Sequence, residues 1–136
     1  MSREIKFRGK RVDNGEWVYG YYVRYEHMGI VTHLIITNWA QVYVNSFKVI
    51  PESVGQFTGL RDKNGREIYK GDIVRALPRY KDHDPREQNK INYKCIFHNG
   101  CFMFASYNAH EFMDKTTMRE VIGNVHENSY LMEVPK

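Results

Sequence analysis

Alternating apolar and polar residues predict a β-hairpin near the start of the chain. Ile5 and Phe7 alternate with polar neighbours, and the turn signal Asp13-Asn14-Gly15 follows them. Alternation then resumes over residues 17–25, which are rich in aromatic and β-branched side chains. We therefore expect two antiparallel strands joined at this turn.

A two-residue type I′ turn at Asn14-Gly15 would determine which side chains share a face of this hairpin. In that register Lys10 lies opposite Tyr19, and Gly9 lies opposite Gly20, which leaves room for a close backbone approach or a bulge. One face then combines basic and aromatic side chains, namely Arg8, Lys10, Trp17, Tyr19 and Tyr21. The other face carries Ile5, Phe7, Val18 and Tyr22.

Further apolar runs predict strands in the middle of the chain. Residues 33–37 and residues 41–50 have the composition of strands, and Pro51 and Gly55 then interrupt the pattern. We therefore divide the chain into an N-terminal β region, residues 1–54, and a C-terminal module, residues 55–136.

The C-terminal module begins with strong turn signals. Asp62-Lys63-Asn64-Gly65 and then Gly71-Asp72 predict a strand, a tight turn and a second strand over residues 66–77. Residues 78–90 are polar, contain two prolines and show no periodicity. We expect them to form an exposed loop.

Asn99-Gly100, flanked by alternating aromatic residues, is the clearest hairpin signal in the chain. A two-residue turn here pairs Phe97 with Phe102 and Cys95 with Phe104. The expected core face carries Tyr93, Cys95, Phe97, Phe102 and Phe104. Cys101 then lies on the opposite face from Cys95, so this register excludes a disulfide between them.

The last part of the chain has weaker patterns. Residues 106–119 are too sparse in apolar side chains for a long helix, but one or two helical turns would fit. Val121, Ile122 and Val125 predict a last short strand, and residues 128–132 predict a terminal helical turn.

Length and composition are those of an ordinary globular protein. The 136 residues suffice for one domain or for two small β modules, and ten tyrosines favour strands. The formal charge of +4 permits attraction to nucleic acid or to an acidic partner, although ordinary solubility also explains it. No secretory signal and no apolar run of membrane-spanning length is visible. We therefore expect a cytoplasmic protein that does not bind membranes and has reduced thiols.

Residues 55–74, GQFTGLRDKNGREIYKGDIV, form a distinctive string of turn residues, charges and apolar residues. Together with the opening IKFRGKRV and the closing EVIGNVHENSYL, this string resembles the YopX family of phage and prophage proteins. The resemblance implies a phage or prophage origin in bacteria and a C-terminal module similar to SH3-type β-barrels. It implies no activity, because the family is one of unknown function.

Turn chemistry accounts for the residue types in this string. Gly65 and Gly71 give the backbone freedom at turns, and Asp62 bonds its own turn amides. Asp72 caps a turn in this interpretation, with a functional carboxylate as the alternative. We predict an all-β protein with minor helix, in which an N-terminal hairpin region packs on a C-terminal SH3-like small β-barrel.

No residue pattern predicts catalysis or a cofactor. The six histidines are scattered, and no HExxH, Walker loop, GxGxxG or GxSxG motif is present. His98 and Cys101 face each other across the second hairpin, but a metal site needs further ligands. We therefore predict no catalytic residue, no cofactor, no metal site and no enzyme activity. The alternative to a protein without catalytic activity is a metal-dependent nuclease that uses loop carboxylates, but no motif supports it.

The basic and aromatic face of the first hairpin suggests a binding function. Aromatic rings stack on bases and cations contact phosphates in proteins that bind single-stranded nucleic acid. We therefore predict weak nucleic-acid binding through Arg8, Lys10, Trp17, Tyr19 and Tyr21. The competing interpretation is that these aromatic residues form core, with the Arg and Lys stems lying across them. The alternative function is a module for self-assembly or for interaction with a host or phage protein.

Overall fold

The computed structural model describes residues 4–133, and this part of the chain is mostly β-structure. It contains eleven strands, one α-helix and several 3₁₀ turns, and the strands form antiparallel sheets. The predicted all-β class with minor helix is therefore confirmed. Within residues 4–133 no helix is both long enough and apolar enough to cross a membrane.

The chain divides into two compact units, one ending at Phe57 and the other beginning at Thr58. The strands of the first unit are β1 (Phe7–Lys10), β2 (Trp17–His27), β3 (Ile30–Ile36), β4 (Ser46–Lys48) and β5 (Gly55–Arg61), which continues into the second unit. Their order in the sheet is β4-β3-β2-β1-β5. The 3₁₀ turns Trp39–Val44 and Pro51–Ser53 follow β3 and β4.

The register of the β1–β2 hairpin differs by two residues from the predicted one. Arg8 pairs with Tyr19, and Lys10 pairs with Trp17. A shift by an even number of residues changes the pairs but not the face on which a side chain lies. The prediction of the pairs was therefore wrong, whereas the prediction of the shared face is confirmed.

A loop longer than a type I′ turn causes this shift. The amide of Arg11 donates to the carbonyl of Glu16, and the amide of Gly15 donates to the carbonyl of Arg11. A type I′ turn needs positive φ at two successive residues, but in this loop only Gly15 has a positive φ, at 73°.

The prediction that Gly9 lies opposite Gly20 was wrong. Each glycine nevertheless allows another segment of the chain to approach closely. Gly9 pairs with Val18, and Gly20 pairs with Phe7. A Cβ at Gly20 would lie 2.2 Å from the carbonyl oxygen of Ile36. A Cβ at Gly9 would lie 2.9 Å from the Cβ of Val49. Both positions therefore require the absence of a side chain.

The predicted strand over residues 41–50 is wrong in its first half. Asn38 caps the 3₁₀ turn Trp39–Val44, because its side chain accepts a hydrogen bond from the amide of Ala40. At the other end of this turn, the side chain of Asn45 donates to a backbone carbonyl. These local hydrogen bonds compete with strand pairing, and only β4 pairs with β3.

The second unit contains the remaining strands of the described residues. They are β6 (Glu67–Tyr69), β7 (Asp72–Pro78), β8 (Ile91–His98), β9 (Cys101–Phe104), β10 (Tyr107–Asn108) and β11 (Thr116–Asn124). The helix α1 (Ala109–Lys115) precedes β11, and 3₁₀ turns lie at Arg79–Lys81, Glu87–Asn89 and Ser129–Met132. The five-stranded sheet has the order β10-β9-β8-β7-β11, and in the described residues it is not closed. The SH3-like barrel therefore stays a prediction.

The predicted register of the β8–β9 hairpin is confirmed. Phe97 pairs with Phe102, and Cys95 pairs with Phe104. Asn99 has a φ of 51° and the following glycine one of 81°, as a type I′ turn requires. Cys95 is buried and the other cysteine is exposed, and both are free thiols. Phe97 is half exposed, so its predicted place in the core is wrong.

Stacked aromatic rings form the core of the second unit. The ring centroids of Phe104 and Phe112 lie 4.1 Å apart, and Tyr93 contacts Phe112 edge-on at 5.1 Å. Helix α1 supplies Phe112, and a capping box between Asn108 and Glu111 starts this helix. The capping box explains why the ambiguous segment 106–119 forms helical turns where it does.

Asp62 joins the central turn of the distinctive string to β11. Its Oδ1 accepts hydrogen bonds from the amides of Asn64 and Arg66, and its Oδ2 accepts one from the amide of Val121, each at 2.9 Å. Burial works to raise the pKa of Asp62, but these three amides and the charge of Arg66 outweigh it, so the pKa is lowered. The carboxylate is therefore a structural group that is ionised in the folded state.

Asp72 has the predicted geometry of a turn cap. Its Oδ2 accepts a hydrogen bond from the amide of Tyr69 at 2.7 Å, and the residue is buried. Gly71 beside it has a φ of 94°, which a residue with a side chain rarely adopts. Gly71 thus lies in the turn between β6 and β7, and Asp72, the first residue of β7, caps that turn.

We expect Asp62→Asn to lower the free energy of unfolding by about 1–3 kcal/mol, because the new amide nitrogen cannot accept a hydrogen bond from a backbone donor. Urea denaturation measures this loss, and Asp82→Asn, at an exposed aspartate, is the matched control.

The lowered pKa of Asp62 also predicts a pH dependence. The contribution of the ionised Asp62 to stability is complete above the ordinary carboxylate pKa and is lost as the pH falls through the folded-state pKa. The difference between wild type and variant should shrink below about pH 4. A difference that does not change with pH would contradict this role of the charge.

Candidate binding surface on strand β2

The five predicted site residues lie together on one face of the first unit. Trp17, Tyr19 and Tyr21 occupy alternate positions of β2, so their side chains point to the same side of the sheet. Arg8 and Lys10 of β1 are the cross-strand partners of Tyr19 and Trp17. Strand pairing therefore brings the cations and the aromatic rings into one cluster.

Arg8 and Trp17 form the inner part of this cluster. The guanidinium carbon of Arg8 lies 4.6 Å from the centroid of the Trp17 ring, and the Nζ of Lys10 lies 5.9 Å from it. Arg8 is only 3% exposed. Cation–π contacts of this kind stabilise a cation that is partly removed from water. Arg8 is therefore a positioning residue for the Trp17 ring, and its guanidinium is not available to a ligand at the surface.

Tyr19 and Tyr21 form the outer part of the cluster. They are 46% and 50% exposed, respectively. Residues two apart on a strand are separated by about 7 Å, so these rings are neighbours along the surface. The interpretation that the whole aromatic set forms core is therefore wrong for Tyr19 and Tyr21.

Trp39 adds a ring to this surface that the sequence interpretation missed. It belongs to the 3₁₀ turn after β3, is 55% exposed, and its ring centroid lies 5.6 Å from that of Tyr21. The capping residue Asn38 just before it was the signal that would have placed this turn. We use the name aromatic face for Trp17, Tyr19, Tyr21 and Trp39.

The opposite side of β2 is packed against other residues and fixes the orientation of the strand. The rings of Tyr22 and Phe7 contact each other at 5.6 Å. The hydroxyl of Tyr22 also lies 2.5 Å from the Nδ1 of His33, and the two rings are parallel. Ile5, which the sequence placed on this side as well, is exposed. Because Tyr22 is held inward, its neighbours Tyr21 and Val23 must point to the other side.

The described residues offer no group of three His, Cys, Asp or Glu side chains that would hold a metal ion. His98 and Cys101 are close, as the sequence predicted from their pairing, but the thiol of Cys101 lies 3.4 Å from the backbone carbonyl of His98. The thiol also lies 3.5 Å from the Sδ of Met103, and both contacts are local to the hairpin.

Comparison with known proteins identifies a family and a fold. The family model described as YopX protein matches residues 6–133. A solved structure, that of protein EF1440 from Enterococcus faecalis, is similar with a TM-score of 0.51 and 22% identity over 97% of this chain and 100% of that chain. At this identity the likeness concerns the fold alone. No curated protein matches the chain.

We expect Trp17→Ala to destabilise the first unit by about 1–3 kcal/mol, because the ring that covers Arg8 is lost and a buried cation loses this cation–π contact. Tyr19→Ala removes a half-exposed ring and should cost no more than about 0.5 kcal/mol. Urea denaturation of the two variants provides the comparison. Equal destabilisation by the two substitutions would contradict the division of the cluster into an inner and an outer part.

Proposed function

The chain belongs to the YopX family, and we propose that it acts by binding rather than by catalysis, with single-stranded nucleic acid as the ligand of the aromatic face. The observation that carries the proposal is the exposure of Tyr19, Tyr21 and Trp39 side by side on one surface. Exposed rings in this arrangement stack on successive bases with little preference for sequence.

Charge supports the same ligand. Lys10 lies at the edge of the aromatic face and is only partly buried, and the protein as a whole has a formal charge of +4. We therefore assign the phosphate contact to Lys10 and the stacking contacts to the two tyrosines and Trp39. Arg8 acts indirectly by holding Trp17. Because a phosphate contact releases counterions, binding should weaken as the salt concentration rises.

We expect the double variant Tyr19→Ala with Tyr21→Ala to bind a fluorescent oligothymidine at least about tenfold more weakly than the wild type, since each stacked base contributes roughly 1–3 kcal/mol. Fluorescence anisotropy at low salt measures the affinity. Tyr80→Ala is the matched control, because Tyr80 is an exposed tyrosine of the second unit. Circular dichroism and thermal denaturation show whether the variants are folded.

Two outcomes would overturn the proposal. One is the absence of detectable binding to single-stranded DNA and RNA at low salt. The other is an equal loss of affinity in Tyr80→Ala and in the double variant, because it would remove the assignment of binding to the aromatic face.

Self-association or binding to a host or phage protein is the second candidate function. The end of the β2–β3 hairpin supports it, since Met28, Ile30 and Val31 are exposed apolar residues in one short segment. Such a patch is typical of a protein contact. Light scattering of the wild type and of Ile30→Lys distinguishes the two candidates. A wild-type dimer that dissociates in Ile30→Lys would favour self-association through this patch. A wild-type protein that is monomeric at all concentrations would exclude self-association.

The remaining sequence-based expectations belong to the same proposal. A phage or prophage origin in bacteria and an SH3-like barrel in the second unit are implied by the family resemblance, and the cytoplasm as the place of action is the expectation from the sequence. Small β-barrels of this type commonly present strands and loops to nucleic acids or peptides. These expectations are consistent with a binding protein that needs no cofactor.

A further inference from the structure

The second unit contains a cleft whose residues come from β7, β8 and the segments around two 3₁₀ turns. Its volume is about 450 Å³, which lies in the range of small-molecule sites. The lining combines the cations Arg75 and Lys90 with the carboxylates of Glu87 and Glu133, the amides of Gln88 and Asn92, and the apolar side chains of Leu131 and Met132.

Two cations in this cleft converge on one carboxylate. The Oε1 of Glu87 lies 2.8 Å from Nη1 of Arg75, and its Oε2 lies 3.1 Å from Nζ of Lys90. The side chain of Lys90 is only 11% exposed and that of Arg75 is 34% exposed, whereas that of Glu87 is 64% exposed. The cations therefore belong to the wall of the cleft, and the carboxylate reaches them from the solvent side.

Neighbouring strands hold the guanidinium of Arg75 in place. Its Nε donates to Oδ1 of Asn92, its cross-strand partner, at 3.0 Å. The side-chain nitrogen of Asn92 in turn donates to the carbonyl of Leu131 at 2.8 Å. One chain of hydrogen bonds thus fixes both the cation and the segment that carries Leu131 and Met132, which are the apolar part of the lining.

We propose that this cleft binds an organic phosphate, whose phosphate group displaces Glu87 from Arg75 and Lys90 and whose apolar body packs against Leu131 and Met132. Glu87 occupies the place of the ligand's anionic group in the unliganded protein. Its replacement costs little, because ion pairs of a solvent-exposed carboxylate are weak. A phosphate dianion has more charge and more acceptor oxygens than a carboxylate, and a guanidinium fork matches it well.

The pKa of Glu87 agrees with a cationic environment. Hydrogen bonds from Lys90 and then from Arg75 are the largest causes of its lowered value. The field that lowers the pKa of this carboxyl also favours any other anion in its place.

Calorimetric titration of the full chain with phenyl phosphate tests the proposal, with inorganic phosphate and benzoate as the two comparison probes. Phenyl phosphate should bind at least about fivefold more tightly than either, because only it offers both the dianion and an apolar ring. Equal affinity for phenyl phosphate and inorganic phosphate would overturn the role of Leu131 and Met132. The absence of binding by all three probes would overturn the site.

Charge variants test whether Glu87 stands in for the ligand. Glu87→Gln should bind phenyl phosphate about three- to tenfold more tightly, because the competing charge is gone, and Lys90→Gln should bind it at least about tenfold more weakly. Lys94→Gln makes the same change of net charge at an exposed lysine of β8 and is the control. Thermal denaturation shows whether each variant is folded. Unchanged affinity in Glu87→Gln, or equal losses in the two lysine variants, would contradict the proposal.

Discussion

The packing of Arg8 against Trp17 is the contact on which the proposed binding surface depends. Removing a guanidinium from water is costly unless other groups compensate for the lost hydration, and the Trp17 ring at 4.6 Å supplies part of this compensation. The contact also fixes Trp17 on one side of the sheet. Strand alternation then places Tyr19 and Tyr21 on the same side, where they are half exposed.

Two aspartates of the string at residues 55–74 support the fold of the second unit, whereas Arg8 and Lys10 of the opening IKFRGKRV belong to the cluster on β1 and β2. Asp62 receives three backbone amides, and Asp72 closes the turn between β6 and β7. These carboxylates satisfy buried donors and so cannot be removed without cost. A sequence signature that consists of turn residues and buried hydrogen-bonding groups can identify relatives. It does not indicate what those relatives bind. Surface residues such as Tyr19 are where members of one family can differ in function.

Predictions from the sequence succeeded where the local residues determine the backbone conformation. They failed where contacts between distant segments determine it. Asn99 and Gly100 both adopt positive φ, so the register of their hairpin followed from the turn. Asn14 and Gly15 have the same residue types as that turn, but the loop between β1 and β2 is longer. The cross-strand pairs therefore differ by two residues from the predicted ones. Alternation correctly placed Trp17, Tyr19 and Tyr21 on one face, because an even shift preserves the face. It did not show that the face is exposed, since periodicity says nothing about what covers a sheet. Asn38 signals the turn that carries Trp39, but the contact of Trp39 with Tyr21 and the cleft around Arg75 join distant segments. No local pattern reports such contacts.

The central claim is that the aromatic face contacts nucleic-acid bases. Ultraviolet cross-linking of the protein to a single-stranded oligonucleotide, followed by mass spectrometry of the peptides, tests it most directly. We predict cross-links at Tyr19, Tyr21 and Trp39, because stacked rings lie against the bases. Cross-links confined to other exposed aromatic residues, such as Tyr80 and Tyr130, or the absence of any cross-link at low salt, would contradict the account.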